Sequence, residues 1–306
     1  MQWAEPNDAQ PFFIISSAKM VINEEAGVPN GLYELACAIS QDIAYFNELT
    51  EDEISELVEY EGEIQRSVEF GGGTVVYNVF YDENYLNKGN ADSESISFNV
   101  VSLVKAMSND DYDGIDNACD ELITVILHEL THLYAQQQGE GNGSDEHIWL
   151  KYSGKLDSDV REFIYCLSSS EINARVASSV SIFDRYQVKY GGNFQSAMVR
   201  TLNDHELRFY ALDYMMMKLR EELRYAESND GYFNVRFKPT YYGYSLAAND
   251  SRLFGGGVKK ANELCSKDYA SVLRHELSFY GKLIEAYRKK IYKACWTFAN
   301  RYNIKN

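Results

Sequence analysis

The sequence predicts an α+β chain that is predominantly helical, with a small sheet upstream of one central helix and a helical C-terminal region. Three observations carry that expectation. Apolar residues recur at helical spacing over much of the 306 positions. Two short stretches, Thr74–Tyr81 and Ser95–Val101, leave that period and carry β-branched and aromatic residues or strict alternation. Beyond Gly191 and Gly192 the helical pattern returns and holds almost to the end of the chain. Two domains are expected: residues 1–190, with the sheet and central helix, and a helical region, 191–306, packing on it. With 45% hydrophobic and 14% aromatic residues, the chain can build a real core.

The first thirty residues, with Pro6, Pro11 and Pro29 around the apolar patch Phe12–Ile15, read as an extended arm. Leu32, Leu35, Ala36, Ile39, Ile43 and Phe46 then mark one face of a helix from Gly31 to about Asn47. Thr50 with Glu53 three residues on has the form of a capping box, opening a second, acidic helix through about Gln65. Gly71–Gly73 marks a turn before the first strand. The polar stretch Asp82–Glu94 reads as the loop to the second. A strand on the rim of such a sheet can hold an extended peptide by main-chain hydrogen bonds. On that reading Ser95, Ser97 and Asn99 face solvent. The acidic segment Ser108–Gly114 lacks the full spacing of a calcium-binding EF-hand loop.

The central helix, Asp120–Gln138, contains His128-Glu129-Leu130-Thr131-His132. Residues four apart share a helix face, so both imidazoles can address one ion. Glu129 falls about 100° from His128 around the helix. Its carboxylate then stands beside the ion, able to take a proton from a metal-activated water. Cys119, Ile123, Ile126, Leu130 and Leu133 cluster on the opposite side, giving a helix that spans a core and lines a cleft. Gly139 and Gly141 end it. A glycine-rich loop leads to His147 and Trp149. Helical pattern runs from near Asp157 to about Gln187, broken at Ser168–Ser170. Asn203–Glu227 is helical, and its Met215–Met217 run belongs to core packing. Phe233–Tyr244 reads as extended. A last helical region follows Gly255–Gly257, with Leu273, Leu277, Tyr280, Leu283, Ile284, Tyr287, Ile291 and Ala294 as its apolar stripe.

Two histidines leave a catalytic zinc site incomplete, because a third protein ligand is needed with one position open. Ala135 and Gln138 exclude the HExxHxxGxxH continuation. Glu146, Glu162 and Glu171 are the candidates. Glu171 is the best placed, 39 residues after His132 at the start of a helix. Here the chain resembles the gluzincin branch of the zincin metallopeptidases, in which HExxH is followed by a glutamate on a second helix, often with a small residue three positions on. Ala174 matches that small residue. The resemblance implies a zincin-like metallopeptidase domain in residues 1–190, with Zn2+ held by His128, His132 and Glu171 and Glu129 as general base. The substrate would be a peptide or protein. Compact HExxH proteins of this kind include intracellular and phage-encoded ones. One position departs: thermolysin-like enzymes carry an aspartate four residues after the third ligand, where this chain has Arg175. His147, Tyr152, His205 and any of the 24 tyrosines are candidates for stabilising the oxyanion.

Charge and cysteine usage bound the remaining choices. The net charge of −17 is unevenly spread. Residues 1–150 carry 29 acidic side chains against four basic ones, a balance of −25, and residues 151–306 carry 17 against 25, a balance of +8. The acidic half argues against a nucleic-acid partner, and opposed charge favours packing of the halves or association with a neighbouring subunit. Five scattered cysteines without a CxxC pair fit buried thiols in a reducing compartment. No apolar run reaches membrane-span length and no signal peptide is visible. The expected setting is cytoplasmic or within a phage particle. The alternative function is a structural or assembly component, such as a virion-associated protein that keeps a zincin fold to bind partners. A toxin or effector protease is disfavoured, because neither an export signal nor a cysteine framework is visible.

Overall fold

A computed structural model describes residues 31–44, 63–71, 73–84, 88–91, 96–109, 111–137, 158–228, 242–249 and 257–302. The described residues are predominantly helical, with one four-stranded sheet. Contacts divide the chain into two units, Met1–Gln138 and Gly139–Asn306. The expected N-terminal arm, the cap at Thr50, the glycine-rich loop with Glu146 and His147, and Tyr152 lie outside the described residues.

In the first unit, helix α1 (Leu32–Ala44) buries Leu32, Leu35, Ala36, Ile39 and Ile43, the stripe its periodicity marks. The sheet has the order β1-β2-β4-β3, with β1 Glu63–Phe70, β2 Gly73–Phe80, β3 Gly89–Ala91 and β4 Ile96–Asn99. β1 and β2 form an antiparallel hairpin in which Phe70 faces Gly73, turned at Gly71 with φ +60°. β2 and β4 run parallel, and β3 returns antiparallel to β4. Val75, Tyr77 and Val79 alternate into the core, as expected of a half-buried strand.

Several expectations need correction here. Glu63–Gln65, expected to end the acidic helix, belong to β1. Its inward positions include Arg66, which hides the alternation. That guanidinium is tolerated because its Nε stands 2.9 Å from Asp42 Oδ2 on α1. A third strand, β3, lies inside the segment read as a loop. β4 is an inner strand, not a rim, so Ser97 is buried and not a solvent-side residue at a substrate edge. β3 is the outermost strand on that side. Val101 opens helix α2 (Val101–Ser108) instead of ending the strand.

Helix α3 (Tyr112–Gln137) is the central helix, begun earlier than its apolar stripe indicates. The acidic run before it supplies its N-terminus: Gly114 N donates to Asp111 Oδ1 at 3.0 Å. α3 packs against α1, α2, β3 and β4. Leu122, Ile126, Leu127, Leu130 and Leu133 are buried, and Ser40 Oγ of α1 donates to the Cys119 carbonyl.

The second unit is helical throughout its described residues: α4 (Ser158–Cys166), α5 (Ser169–Lys189), α6 (Phe194–Leu202), a 3-10 turn at His205–Leu207, α7 (Phe209–Ser228), α8 (Tyr242–Asn249) and α9 (Gly257–Arg301). The serine run separates α4 from α5, as its break in pattern indicates. Tyr242–Tyr244 open a helix, so the extended reading fails for those three residues. α9 packs on α5, α6, α7 and α8, burying Leu273, Tyr280, Ile284, Tyr287, Ile291 and Ala294. It kinks at Asp268 (φ −156°, ψ 79°), whose carboxylate caps the following segment by accepting from Ser271 N. Met215 and Met216 are core residues on α7, whereas Met217 is exposed, so the core reading fails for that third methionine. No described helix is long and apolar enough to cross a membrane.

Candidate metal centre

Four-residue spacing on an unbroken helix places His128 and His132 one above the other. Their Nε2 atoms are 3.1 Å apart, with ring centroids 4.7 Å apart and planes at 75°. Two nitrogens bound about 2.05 Å from a tetrahedral zinc lie about 3.3 Å from each other. The pair is therefore spaced for one shared ion. Its rigidity comes from the other face of α3, where Ile126, Leu127, Leu130 and Leu133 are locked in the core. The intervening Thr131 is buried and returns its hydroxyl to the Leu127 carbonyl at 2.7 Å, so it makes no demand on the site.

Glu171 is set by different means. Ser168 caps α5 and accepts from Glu171 N, which puts the glutamate in the first turn, where the helix dipole favours an anion. The residue is only 2% exposed. Each carboxylate oxygen has its own neighbour: the Tyr165 hydroxyl donates to Oε1, and Arg175 Nη2 stands 3.3 Å from Oε2. Arg175 is itself fixed, since Nη1 donates to the Glu206 carbonyl at 2.8 Å. Burial disfavours the charged guanidinium. The adjoining Cys166 and Glu171 outweigh that, and its pKa rises.

One ligand atom from each of His128, His132 and Glu171 lies within 4.8 Å of the other two, and this largely buried His-His-Glu group could hold a metal ion. Two imidazoles and one carboxylate, with no thiolate, is a donor set suited to zinc or another divalent first-row metal. Glu162, the other described candidate, is outside the group; it is half-exposed on α4, 3.7 Å from Arg208 Nε. Of the oxyanion candidates singled out by position, His205 is the one among the described residues, and it is largely exposed beside Asp204.

Glu129 is half-buried on α3 and does not belong to the ligand group. Its side chain lies against the start of β3 at Gly89. Sequence reasoning missed Tyr165 and Gly89. Neither carries a local signal, because each contact depends on a separate element being brought alongside. Arg175 was visible only as a departure from a pattern. Cys166, next to this cluster, is an inert thiol whose pKa burial pushes up to about 12.

No protein-family model matches the chain, and neither does any curated protein or solved structure compared with it.

Proposed function

We propose that the chain is a zinc-dependent metallopeptidase of gluzincin type, with His128, His132 and Glu171 holding the metal and Glu129 as general base. The observation that carries this reading is the grouping of those three ligands around an HExxH helix. When bound, zinc supplies Lewis-acid polarisation of a carbonyl and an acidified water. Glu129, next to His128 in sequence but outside the ligand set, takes the proton from that water and returns it to the leaving amine.

A peptide is the substrate class favoured by the neighbouring strand. The Lys88 carbonyl accepts from Asn99 N, and Asn90 pairs with Ser97. In an antiparallel ladder the alternate residues, Gly89 and Ala91, then direct their main-chain groups away from β4. Those groups suit an extended chain laid beside β3.

The test is metal analysis of purified protein together with Glu129→Gln. Wild type should carry about one zinc per chain and cleave labelled casein. The variant should keep the zinc and lose about 100-fold or more in kcat. A variant as active as wild type refutes the mechanism.

A second reading, a structural or assembly component, draws on α7. There Tyr210, Tyr214 and Met217 are 79%, 38% and 42% exposed at helical spacing, an apolar line suited to a partner. Fixed-stoichiometry recovery in assembled particles favours it, and a free monomer in the source material counts against it.

A further inference from the structure

We infer that Gly89 is a positioning residue for Glu129: the absence of a side chain at the start of β3 leaves the space in which the general-base carboxylate stands. This rests on the hydrolytic reading above for its consequence, though not for its geometry.

The residues along α3 that face β3 follow four-residue spacing: Glu121, Val125 and Glu129. The strand is pinned to the first of these by Lys88, whose Nζ is 2.7 Å from Glu121 Oε2. The next residue, Gly89, is buried over the other two. A Cβ built there would fall 2.8 Å from Val125 Cγ1 and 2.9 Å from Glu129 Cγ, with Glu129 Oε1 at 3.4 Å. Both carbon contacts are closer than real Cβ atoms tolerate. Gly89 is not among the positive-φ glycines, so the requirement is one of space and not of torsion.

Val125 is β-branched and stiff at χ1, and it sits on an α3 whose opposite face is fixed in the core. The movable wall is the Glu129 side chain, with three rotatable bonds. An added methyl therefore displaces Glu129 and, because Val125 cannot turn aside, also presses β3 away from α3; none of the three atoms nearest that methyl belongs to His128, His132 or Glu171. The space a Cβ would take at Gly89 is thus the space against which the Glu129 side chain stands. This fixes the base relative to the strand beside which the substrate would lie.

The experiment uses the full chain and two readouts. In the first, Gly89→Ala should retain the zinc content of wild type while kcat on labelled casein falls about 100-fold or more. Combined with Glu129→Gln it should cost nothing further, because both changes remove the same group from its place. The second readout does not depend on activity. In metal-free protein Gly89→Ala should lower Tm by several degrees, and Glu129→Ala, which removes the crowded Cγ, should shrink that loss.

Two results overturn the inference: unchanged kcat in Gly89→Ala where Glu129→Gln is inactive, or a Tm loss of equal size with and without the Glu129 side chain. A wild type that binds no zinc and cleaves nothing sinks the hydrolytic reading instead. The thermal cycle then still decides whether Gly89 makes room for Glu129.

Discussion

Replacing Arg175 by methionine tests whether Arg175 and a bound metal compensate the same carboxylate. The two side chains of the Glu171–Arg175 pair are 3% and 10% exposed, with Nη2 3.3 Å from Oε2. At that separation and an effective dielectric of about 20, the attraction is about 5 kcal/mol before desolvation is counted. Removing one partner of a buried pair costs about 3–5 kcal/mol. The lower end applies here, because the Tyr165 hydroxyl continues to donate to Glu171 Oε1. A loss of about 3 kcal/mol lowers Tm of a unit this size by about 6–12 °C. Methionine fills much of the guanidinium's volume, so little of the loss is a cavity. The assay is calorimetric melting of wild type and variant, each with EDTA and with saturating zinc. The metal-free variant should show the full loss. With zinc the carboxylate has a new cationic partner, so the loss should shrink, and the zinc-induced rise in Tm should be larger in the variant than in wild type. The broken bond to the Glu206 carbonyl is common to both conditions and cancels. An identical loss with and without zinc refutes the shared-carboxylate argument.

Two further outcomes follow from groups away from the metal ligands. Glu222 on α7 is buried and accepts from Tyr242 N at 2.9 Å, Gly243 N at 3.3 Å and the Tyr269 hydroxyl, tying α7, α8 and the kink of α9 together. Glu222→Ala orphans all three donors and should cost about 3 kcal/mol or more in a denaturant melt; a cost under about 1 kcal/mol would show that the cap is dispensable. For Asp42, burial raises the carboxyl pKa, but the hydrogen bonds from Arg66 and Tyr77 win and hold it below its ordinary 3.8. A lowered carboxyl pKa stabilises the fold above the unfolded value and loses that contribution as pH falls through the folded one. The stability gap between wild type and Asp42→Asn should therefore be level near neutrality and close below about pH 4, and a gap that persists at pH 2 contradicts it.

What the sequence made legible is what short-range periodicity encodes. α1 and the second half of α3 could be read because their buried residues recur every three or four positions. The start of α5 at Glu171 could be read because the serine run breaks the helical pattern locally, though the cap at Ser168 was not read from it. β1 was illegible: an arginine at an inward position looks polar until Asp42, 24 residues earlier, is brought beside it. β3 has three residues, Gly-Asn-Ala, with no pattern to detect, and its position beside α3 is a property of the sheet alone. The extent of α3 was underestimated because its first turns, Tyr112–Asp116, are acidic and mostly exposed, held by Asp111 and not by a core face. In the candidate site, the ligand types and spacing were visible and their supports were not.

The supports differ between ligands for a physical reason. For two histidines on one helix turn the helix itself sets the spacing of their backbones, and the core face fixes the helix. A ligand from a second helix has no such guarantee. Glu171 has one small cap beneath it and a flexible side chain, and without further contacts it would lose several rotamer states on binding an ion. Tyr165 and Arg175 remove that cost in advance by engaging one oxygen each. The choice of an arginine has its own consequence. A histidine-orienting aspartate at that position would add negative charge and strengthen metal binding, whereas Arg175 places a fixed cation against the ligand carboxylate. The group gains orientation and gives up electrostatic attraction for the ion. A glutamate whose charge is offset by a guanidinium would donate less to a bound ion, leaving that ion the stronger Lewis acid. On the proposed reading this arrangement would trade metal affinity for a better-ordered and more electrophilic centre, and the zinc-dependent melting of Arg175→Met measures the affinity half of that exchange directly.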